Sequence, residues 1–321
     1  MPSAKVYEED LPVPVSLTIE LSAVVMAIKD NEAMVLCLTL PDGTALPSGP
    51  FRPEAHRTFD LAVRAFVTEQ TGFSAGYVEQ LYSFGDEGRQ GLSSLAPGGS
   101  DQRVISLGYL ALTADSAFQS QLSAQWKPYS AFFPWEDWRR GEPAAVAPLR
   151  RRLRDWCDAA PDAQSAAERH GRVETLFPED SDLWNEERVL DRYELLYSAC
   201  LIHESRCAEA SSGSGIAMLS DHRRILATGL SRLRGKLKYR PVIFELMPER
   251  FTLLELQRSL EAISGLPLHK QNFRRALERT GFVRPTGIMR DDTGGRPAEL
   301  YAYDRDRFRF SPSLGLSLPR G

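Results

Sequence analysis

Two short helical patterns followed by two short extended patterns occupy residues 248–303, and they constrain the fold more than any other stretch of the chain. Thr252 and Glu255 have the spacing of a capping box, and leucines recur at helical spacing until Gly265 ends the first helix. A second helix is predicted at about 269–280, closely followed by a glycine. The order of helix, short turn and helix predicts a helix–turn–helix.

The second predicted helix has two chemically different faces. Phe273, Ala276 and Leu277 fall on one side, and the opposite side is polar and basic. A helix that packs through apolar residues on one side and presents arginines and amides on the other suits insertion into the major groove of DNA. The candidate DNA-binding residues on this helix are Lys270, Gln271, Asn272, Arg274 and Arg275.

Two extended patterns, 281–284 and 298–303, follow the second helix, and a polar loop with two glycines connects them. Such a loop suits a wing that lies on DNA phosphates, with Arg290 and Arg296 as the predicted contacts. The alternative is a solvated helical hairpin with incidental arginines. A second alternative is a wing and helix that bind another protein.

The distribution of charge favours a nucleic-acid partner, although the net charge of −4 does not. Residues 221–321 hold 20 Lys and Arg against 11 Asp and Glu, whereas the rest of the chain holds 19 against 32. A basic C-terminal region attached to an acidic body is expected when only one part touches phosphate.

The N-terminal third combines extended patterns with one helical pattern. Residues 58–71 predict an amphipathic helix that ends at Gly72, and a polar turn near 30 predicts a hairpin between the first two strands. This order of elements predicts an α+β sandwich. The predicted strands are 17–28, 33–40, 77–84 and 103–112.

Cysteine usage and hydropathy predict a cytoplasmic protein. The chain has no apolar run of about 18 residues, and its acidic, proline-bearing start is unlike a signal peptide. The four cysteines lack the spacing of a disulfide framework or a zinc site, so we expect reduced thiols.

The N-terminal order of elements resembles the Nudix fold. When the Nudix box is laid over residues 46–73, its Arg-Glu pair falls on Ala65 and Phe66, and its Glu-Glu pair falls on Glu69 and Gln70. In that family the glutamates hold Mg²⁺ against a diphosphate, and Glu69 is the one that remains here. A single carboxylate is a poor ligand set for a hard cation. We therefore expect no required cofactor, with Mg²⁺ at Glu69 only if the site is active.

The chain also resembles the Nudix-related transcriptional regulators of NAD metabolism (NrtR). The resemblance implies an α+β chain in which a Nudix-like α/β/α sandwich senses ADP-ribose or a related NAD-derived nucleotide. It also implies a homodimer whose winged helices bind a palindromic operator. The stretches that carry the resemblance are QLYSFGDEGR (80–89), RVISLGYLAL (103–112), residues 221–253, PLHKQNFRRAL (267–277) and GGRPAELY (294–301).

A nucleotide cleft needs cations for the diphosphate and an aromatic slot for the base. Each candidate residue has an ordinary structural alternative, either a surface salt bridge for an arginine or a place in the core for an aromatic ring. The candidates that match family segments are Arg52, Tyr82, Phe84, Asp86 and Arg103.

Residues 139–217 depart from the family pattern. They predict a basic helix at 150–157, a loop with two prolines and an amphipathic helix at 182–204, which packs either on its own chain or at a dimer interface. A helix at 222–238, with Asp221 as its cap, carries four leucines that pack within the chain or across a twofold axis. Its Arg234, Lys236 and Lys238 are expected to reach flanking phosphates.

The sequence therefore predicts a repressor-like DNA-binding protein, and a Mg²⁺-dependent Nudix pyrophosphatase is the alternative. The predicted domains are a lead-in (1–16), a Nudix-like domain (17–138), a helical insertion (139–217), a linker helix with the winged helix (218–310) and a tail (311–321).

Overall fold

The computed structural model describes residues 16–72, 76–85, 102–114, 124–205, 207, 213–291 and 297–306. Its first half is built on one mixed seven-stranded sheet. The strands are β1 (Ser16–Lys29), β2 (Glu32–Leu40), β3 (Gly43–Ala45), β4 (Ser48–Pro50), β5 (Tyr77–Phe84), β6 (Gln102–Leu112) and β7 (Ala124–Pro128).

Strand β1 is the centre of this sheet. It pairs antiparallel with β2 through a turn in which Asp30 and Asn31 both have positive φ, as a two-residue hairpin turn requires. It also pairs parallel with β6, from Ser16 opposite Gln102 to Met26 opposite Leu112. The hairpin predicted from the sequence is confirmed, whereas β3, β4 and β7 were not predicted.

Alternate residues of β1 face two different helical layers. Leu21, Ala23 and Val25 pack against helix α1 (Phe59–Thr71). Val24 and Met26 point to the other face, which helix α6 (His222–Leu237) covers. Gly229 of α6 lies so close to the sheet that an added Cβ would stand 3.1 Å from Val24. The result is an α/β/α sandwich, which confirms the predicted fold class.

Helix α1 begins and ends as the sequence predicts. Thr58 accepts a hydrogen bond from the Leu61 N–H at 3.2 Å, and Gly72 closes the helix with a φ of 69°.

The insertion follows the sheet and precedes α6 along the chain, and it folds into three helices. They are α3 (Val146–Asp158), α4 (Ala163–Leu176) and α5 (Val189–Ser198), and a short helix α2 (Tyr129–Phe132) precedes them. Helix α5 packs on α6 and buries Val189, Tyr193, Leu195 and Leu196, so its apolar stripe is covered by its own chain.

Three predictions for the insertion are wrong. The helix predicted at 182–204 is shorter, because it starts only at Val189 and Cys200 adopts a left-handed φ of 59°. The predicted proline loop contains α4, whose N-terminus is capped by Asp162. The thiols are not all reduced, since the turn at Cys200 brings it to Cys207 and the two form a disulfide.

The C-terminal elements form a winged helix. Helices α7 (Leu253–Ser264) and α8 (Lys270–Thr280) precede a two-stranded sheet of β8 (Val283–Arg290) and β9 (Ala298–Tyr303). The capping box of Thr252 and Glu255 is present as predicted. Strand β8 is longer than predicted because a bulge at Gly287, with a φ of 72°, lets pairing continue past Pro285.

Helix α6 connects the sandwich to the winged helix. Its leucine seam (Leu226, Leu230, Leu233 and Leu237) is buried within the chain, in the same apolar core as the winged-helix residues. Asp221 stands at the cap position, but its side chain makes no capping bond, and its carboxylate lies 3.9 Å from Arg224 Nη1. Among the described helices, none is long and apolar enough to cross a membrane.

His222 fixes the start of α6 on the sheet. Its Nδ1 accepts a hydrogen bond from the Leu46 N–H at 2.9 Å, and its Nε2 lies 3.4 Å from the Ser22 hydroxyl. An imidazole that accepts at Nδ1 must be neutral there, and full burial lowers the pKa of His222 from 6.5 to about 4. The unfolded chain therefore binds the extra proton more readily than the folded chain.

We predict that stability falls as pH drops from about 6.5 towards 4, with this histidine contributing a loss of ~3 kcal/mol at the acidic end. The His222→Gln variant keeps an acceptor but cannot titrate, so its unfolding free energy has a flatter pH dependence in urea titrations. His203→Gln, on an exposed residue, is the matched control. Equal pH slopes for wild type and His222→Gln contradict the assignment.

Candidate nucleic-acid interface and ligand cleft

Helix α8 presents the face that the sequence predicts. Lys270, Gln271, Arg274 and Arg275 are exposed, and Asn272 is half-buried. Phe273, Ala276, Leu277 and Thr280 are buried beneath them. The exposed side chains therefore sit on a helix that is held rigidly from behind.

The cations of α8 are not used for packing. In the part of the chain that the structure describes, the side chains of Lys270, Arg274, Arg275 and Arg279 make no hydrogen bond or ion pair. Arginines elsewhere, such as Arg192 and Arg234, are buried against carboxylates. Unpaired guanidinium groups on a rigid helix are available for bidentate contacts to guanine or for phosphate.

Arg290 has a different environment from the arginines of α8. Its Nη2 lies 2.5 Å from Oε1 of Glu255, the carboxylate that also caps α7. Burial would raise the pKa of Glu255, but hydrogen bonds from the Thr252 N–H and from Arg290 outweigh it and lower that pKa. Arg290 therefore joins the wing to α7, and a phosphate would have to compete with Glu255. The wing residue Arg296 lies outside the described residues.

A buried ionic cluster holds the winged helix to the sandwich. Glu136 is fully buried and accepts from Arg192 Nε at 2.6 Å and Nη2 at 2.9 Å, and from Arg234 Nη1 at 2.6 Å. Arg234 continues to α7, where its Nε donates to the Ile263 carbonyl at 2.8 Å. We call these three residues the Glu136 cluster. It joins the end of the sandwich, the insertion, α6 and the winged helix at one point.

The backbone approaches closely at the same place. Gly265, the left-handed residue that ends α7, accepts a hydrogen bond from the Trp138 N–H at 2.7 Å. A Cβ on Gly265 would stand 2.3 Å from the Glu136 carbonyl oxygen, so no other residue fits without movement. The turn that precedes α8 is therefore fixed directly to the end of the sandwich.

Two of the basic residues near the end of α6, Arg234 and Lys236, point into the protein, whereas Lys238 is exposed. Arg234 belongs to the Glu136 cluster, Lys236 pairs with Glu79 of β5, and Lys238 lies 3.2 Å from Glu186. The expectation of flanking phosphate contacts is wrong for Arg234, because its guanidinium is fully buried. Periodicity could not separate these cations from solvated ones, since their partners are distant in sequence.

The candidate ligand residues lie at one end of the sheet. Arg52 follows β4, whose Pro50 is opposite Glu20 of β1, and Glu20 is opposite Ser106 of β6. Ser106 in turn is opposite Phe84. Arg103 lies three residues before Ser106 in β6. The register thus brings three of the predicted positions, Arg52, Phe84 and Arg103, to neighbouring strand ends.

Side chains at this end differ in their availability. Tyr82 is 63% exposed, and its ring meets Phe84 edge-on at 5.5 Å. Phe84 is buried and lies 5.3 Å from the Arg224 guanidinium of α6, so its ring forms part of the contact between sheet and helix. Arg52 is exposed. Asp86 lies outside the described residues.

Among the aligned Nudix-box positions, Glu69 is the one that carries a carboxylate. Glu69 is exposed on α1. Gln70 is used structurally, because its amide accepts from the Ser48 N–H at 3.0 Å and donates to the Ser48 carbonyl. Phe66 is part of the core. No cluster of three or more His, Cys, Asp or Glu side chains is placed to bind a metal in the described ranges.

The fold and the site together define a class of protein in which a Nudix-like sandwich is joined rigidly to a winged helix. Residues 243–303 match the family model described as the NrtR DNA-binding winged helix domain. The fold of the whole chain, a Nudix-like sandwich followed by the winged helix, is similar to that of solved NrtR structures.

One curated relative and two solved structures illustrate the similarity. The "ADPR responsive transcriptional repressor NtrR" of Acinetobacter baylyi is 37% identical over 100 residues, which are 31% of this chain and only 40% of the relative. The crystal structure of Shewanella oneidensis NrtR complexed with a 27mer DNA is 20% identical, with a TM-score of 0.55 over 90% of this chain and 94% of that one. A MutT/nudix family protein from Enterococcus faecalis is 15% identical, with a TM-score of 0.51 over 93% and 90%.

We predict that Glu136→Gln lowers the free energy of unfolding by about 3–5 kcal/mol, because it leaves two buried guanidinium groups without their counter-charge. Chemical denaturation of the purified protein measures the change. Glu174→Gln, at an exposed residue of α4, is the matched control and should have little effect. A loss for Glu136→Gln no larger than that of the control contradicts the role of the cluster.

Proposed function

We propose that this protein is a transcriptional repressor whose winged helix binds an operator and whose Nudix-like domain senses ADP-ribose or a related NAD-derived nucleotide. The observation that carries the proposal is the rigid α8, whose Lys270, Arg274 and Arg275 are exposed and make no ion pair in the described part of the chain. DNA is the partner whose groove accepts such a helix.

The comparisons support both halves of this proposal. The winged helix matches a family model described as DNA-binding. The relative from Acinetobacter baylyi is named as a repressor that responds to ADPR, although the match spans less than half of that relative's length. At this end of the sheet, the exposed Arg52 and the exposed ring of Tyr82 offer the cation and aromatic chemistry that a nucleotide ligand requires.

We further propose that the protein acts in the cytoplasm as a homodimer on a palindromic operator, and that it requires no metal cofactor. A twofold dimer places two recognition helices on two half-sites. Gln70 is bound to Ser48, and Phe66 is buried, which leaves Glu69 as the sole carboxylate among the four Nudix-box positions aligned on α1.

The mechanism requires a coupling between the two sites. The ligand must bind more tightly to the state that does not bind the operator, and by linkage the operator then weakens the ligand by the same factor. Helix α6 is the physical connection in this proposal. It touches Phe84 through Arg224 at one end and the winged helix through Arg234 at the other.

We predict that Arg274→Ala weakens operator binding by about 1–3 kcal/mol and relaxes base preference at one position of the half-site, because a bidentate contact to guanine is lost. Fluorescence anisotropy with the operator and single-base variants measures this. Arg172→Ala removes an exposed arginine of α4 and is the control. Unchanged affinity and preference for Arg274→Ala would remove this arginine from the interface.

We also predict that ADP-ribose lowers operator affinity, and that wild-type protein without Mg²⁺ shows the same response. Calorimetry of ADP-ribose binding with and without operator measures the factor by which the operator lowers ADP-ribose affinity. This factor must equal the one by which ADP-ribose lowers operator affinity. Arg52→Ala should weaken ADP-ribose binding while operator binding without ligand stays unchanged. Operator affinity that is independent of ADP-ribose and of other NAD-derived nucleotides contradicts the proposed sensing.

A further inference from the structure

Glu278 is an acidic residue on the otherwise basic outer face of α8. At about 100° per residue it lies about 40° around the helix from Arg274 and about 60° from Arg275. It is exposed, and Phe273 and Leu277 are buried on the other side of the helix. A molecule that contacts both arginines therefore also meets this carboxylate.

Neither local packing nor ion pairing explains this carboxylate. Other carboxylates of the winged helix have partners: Glu255 pairs with Arg290, and Glu261 accepts from the Leu268 N–H at 3.0 Å. Glu278 makes no hydrogen bond or ion pair in the described part of the chain, although two arginines precede it by three and four residues. An arginine placed N-terminal to the glutamate is the weaker orientation for such a pair.

The position of Glu278 also opposes the helix dipole. It stands in the last turn of α8, where the partial negative charge of the helix disfavours a carboxylate and favours a cation such as the neighbouring Arg279. A residue that breaks a local rule without a compensating contact is expected at a functional position.

We propose that Glu278 is a specificity-determining residue of the DNA interface, which recognises a base amino group in the major groove and repels phosphate. This inference rests on the proposed DNA-binding function. A carboxylate accepts hydrogen bonds and donates none, so in the major groove it can bind only the amino groups of cytosine and adenine. Near phosphate the same charge is repulsive. Glu278 thus contributes to the ratio of specific to non-specific binding rather than to affinity in general.

The test compares wild type, Glu278→Gln and the control Glu249→Gln, which changes an exposed glutamate before α7. Selection from a randomised duplex pool gives the base preference, and anisotropy at several salt concentrations gives affinities for the selected operator and for unrelated DNA. Thermal unfolding checks that Glu278→Gln is folded, which we expect because the change relieves an unfavourable interaction with the helix dipole.

We expect Glu278→Gln to bind unrelated DNA more tightly than wild type and to lose preference for cytosine or adenine at one position of each half-site, by roughly five- to a hundred-fold. If wild type selects an operator and Glu278→Gln keeps its base preference and its affinity for unrelated DNA, the inference is overturned and the proposed function stands. The inference is also overturned if Glu278→Gln lowers affinity for all DNA equally. If wild type selects no operator, the proposed function fails, and the inference fails with it.

Discussion

The Glu136 cluster is the interaction on which the arrangement of this protein depends. Three charged groups are removed from water, and the carboxylate of Glu136 accepts hydrogen bonds from both guanidinium groups. The remaining donors of Arg234 reach backbone carbonyls at Glu186 and Ile263. Such a cluster is tolerated only with near-complete satisfaction, so it specifies one geometry between the sandwich, the insertion and the winged helix.

Helix α6 packs against both parts of this arrangement. One helix serves as the outer layer of the sandwich and as a support for α7, since its leucine seam lies in the core that continues into the winged helix. The contact between the sheet and α6, at Phe84 and Arg224, is therefore connected to α8 through one helix and the core around it. The close approach at Gly265 leaves little freedom for the turn before α8 to move independently.

The sequence predicted the elements that local patterns determine. Helix α8 and strand β9 were placed almost to the residue, because apolar spacing and a closing glycine are short-range signals. Helix α4 was missed because it buries only Val173 and Leu176, too few for a recognisable stripe. Residues of the Glu136 cluster were missed because Glu136 and Arg234 are 98 positions apart, and each resembles a surface charge on its own.

The order of elements along the chain has a consequence for biosynthesis. Helix α6 starts at His222, whereas the sheet face that it covers begins to form with Val24 and Met26. The ribosome must therefore synthesise the whole insertion before this apolar face can be shielded. During that interval the nascent chain exposes an apolar surface that favours misassociation, so correct folding depends on a helix that is synthesised late.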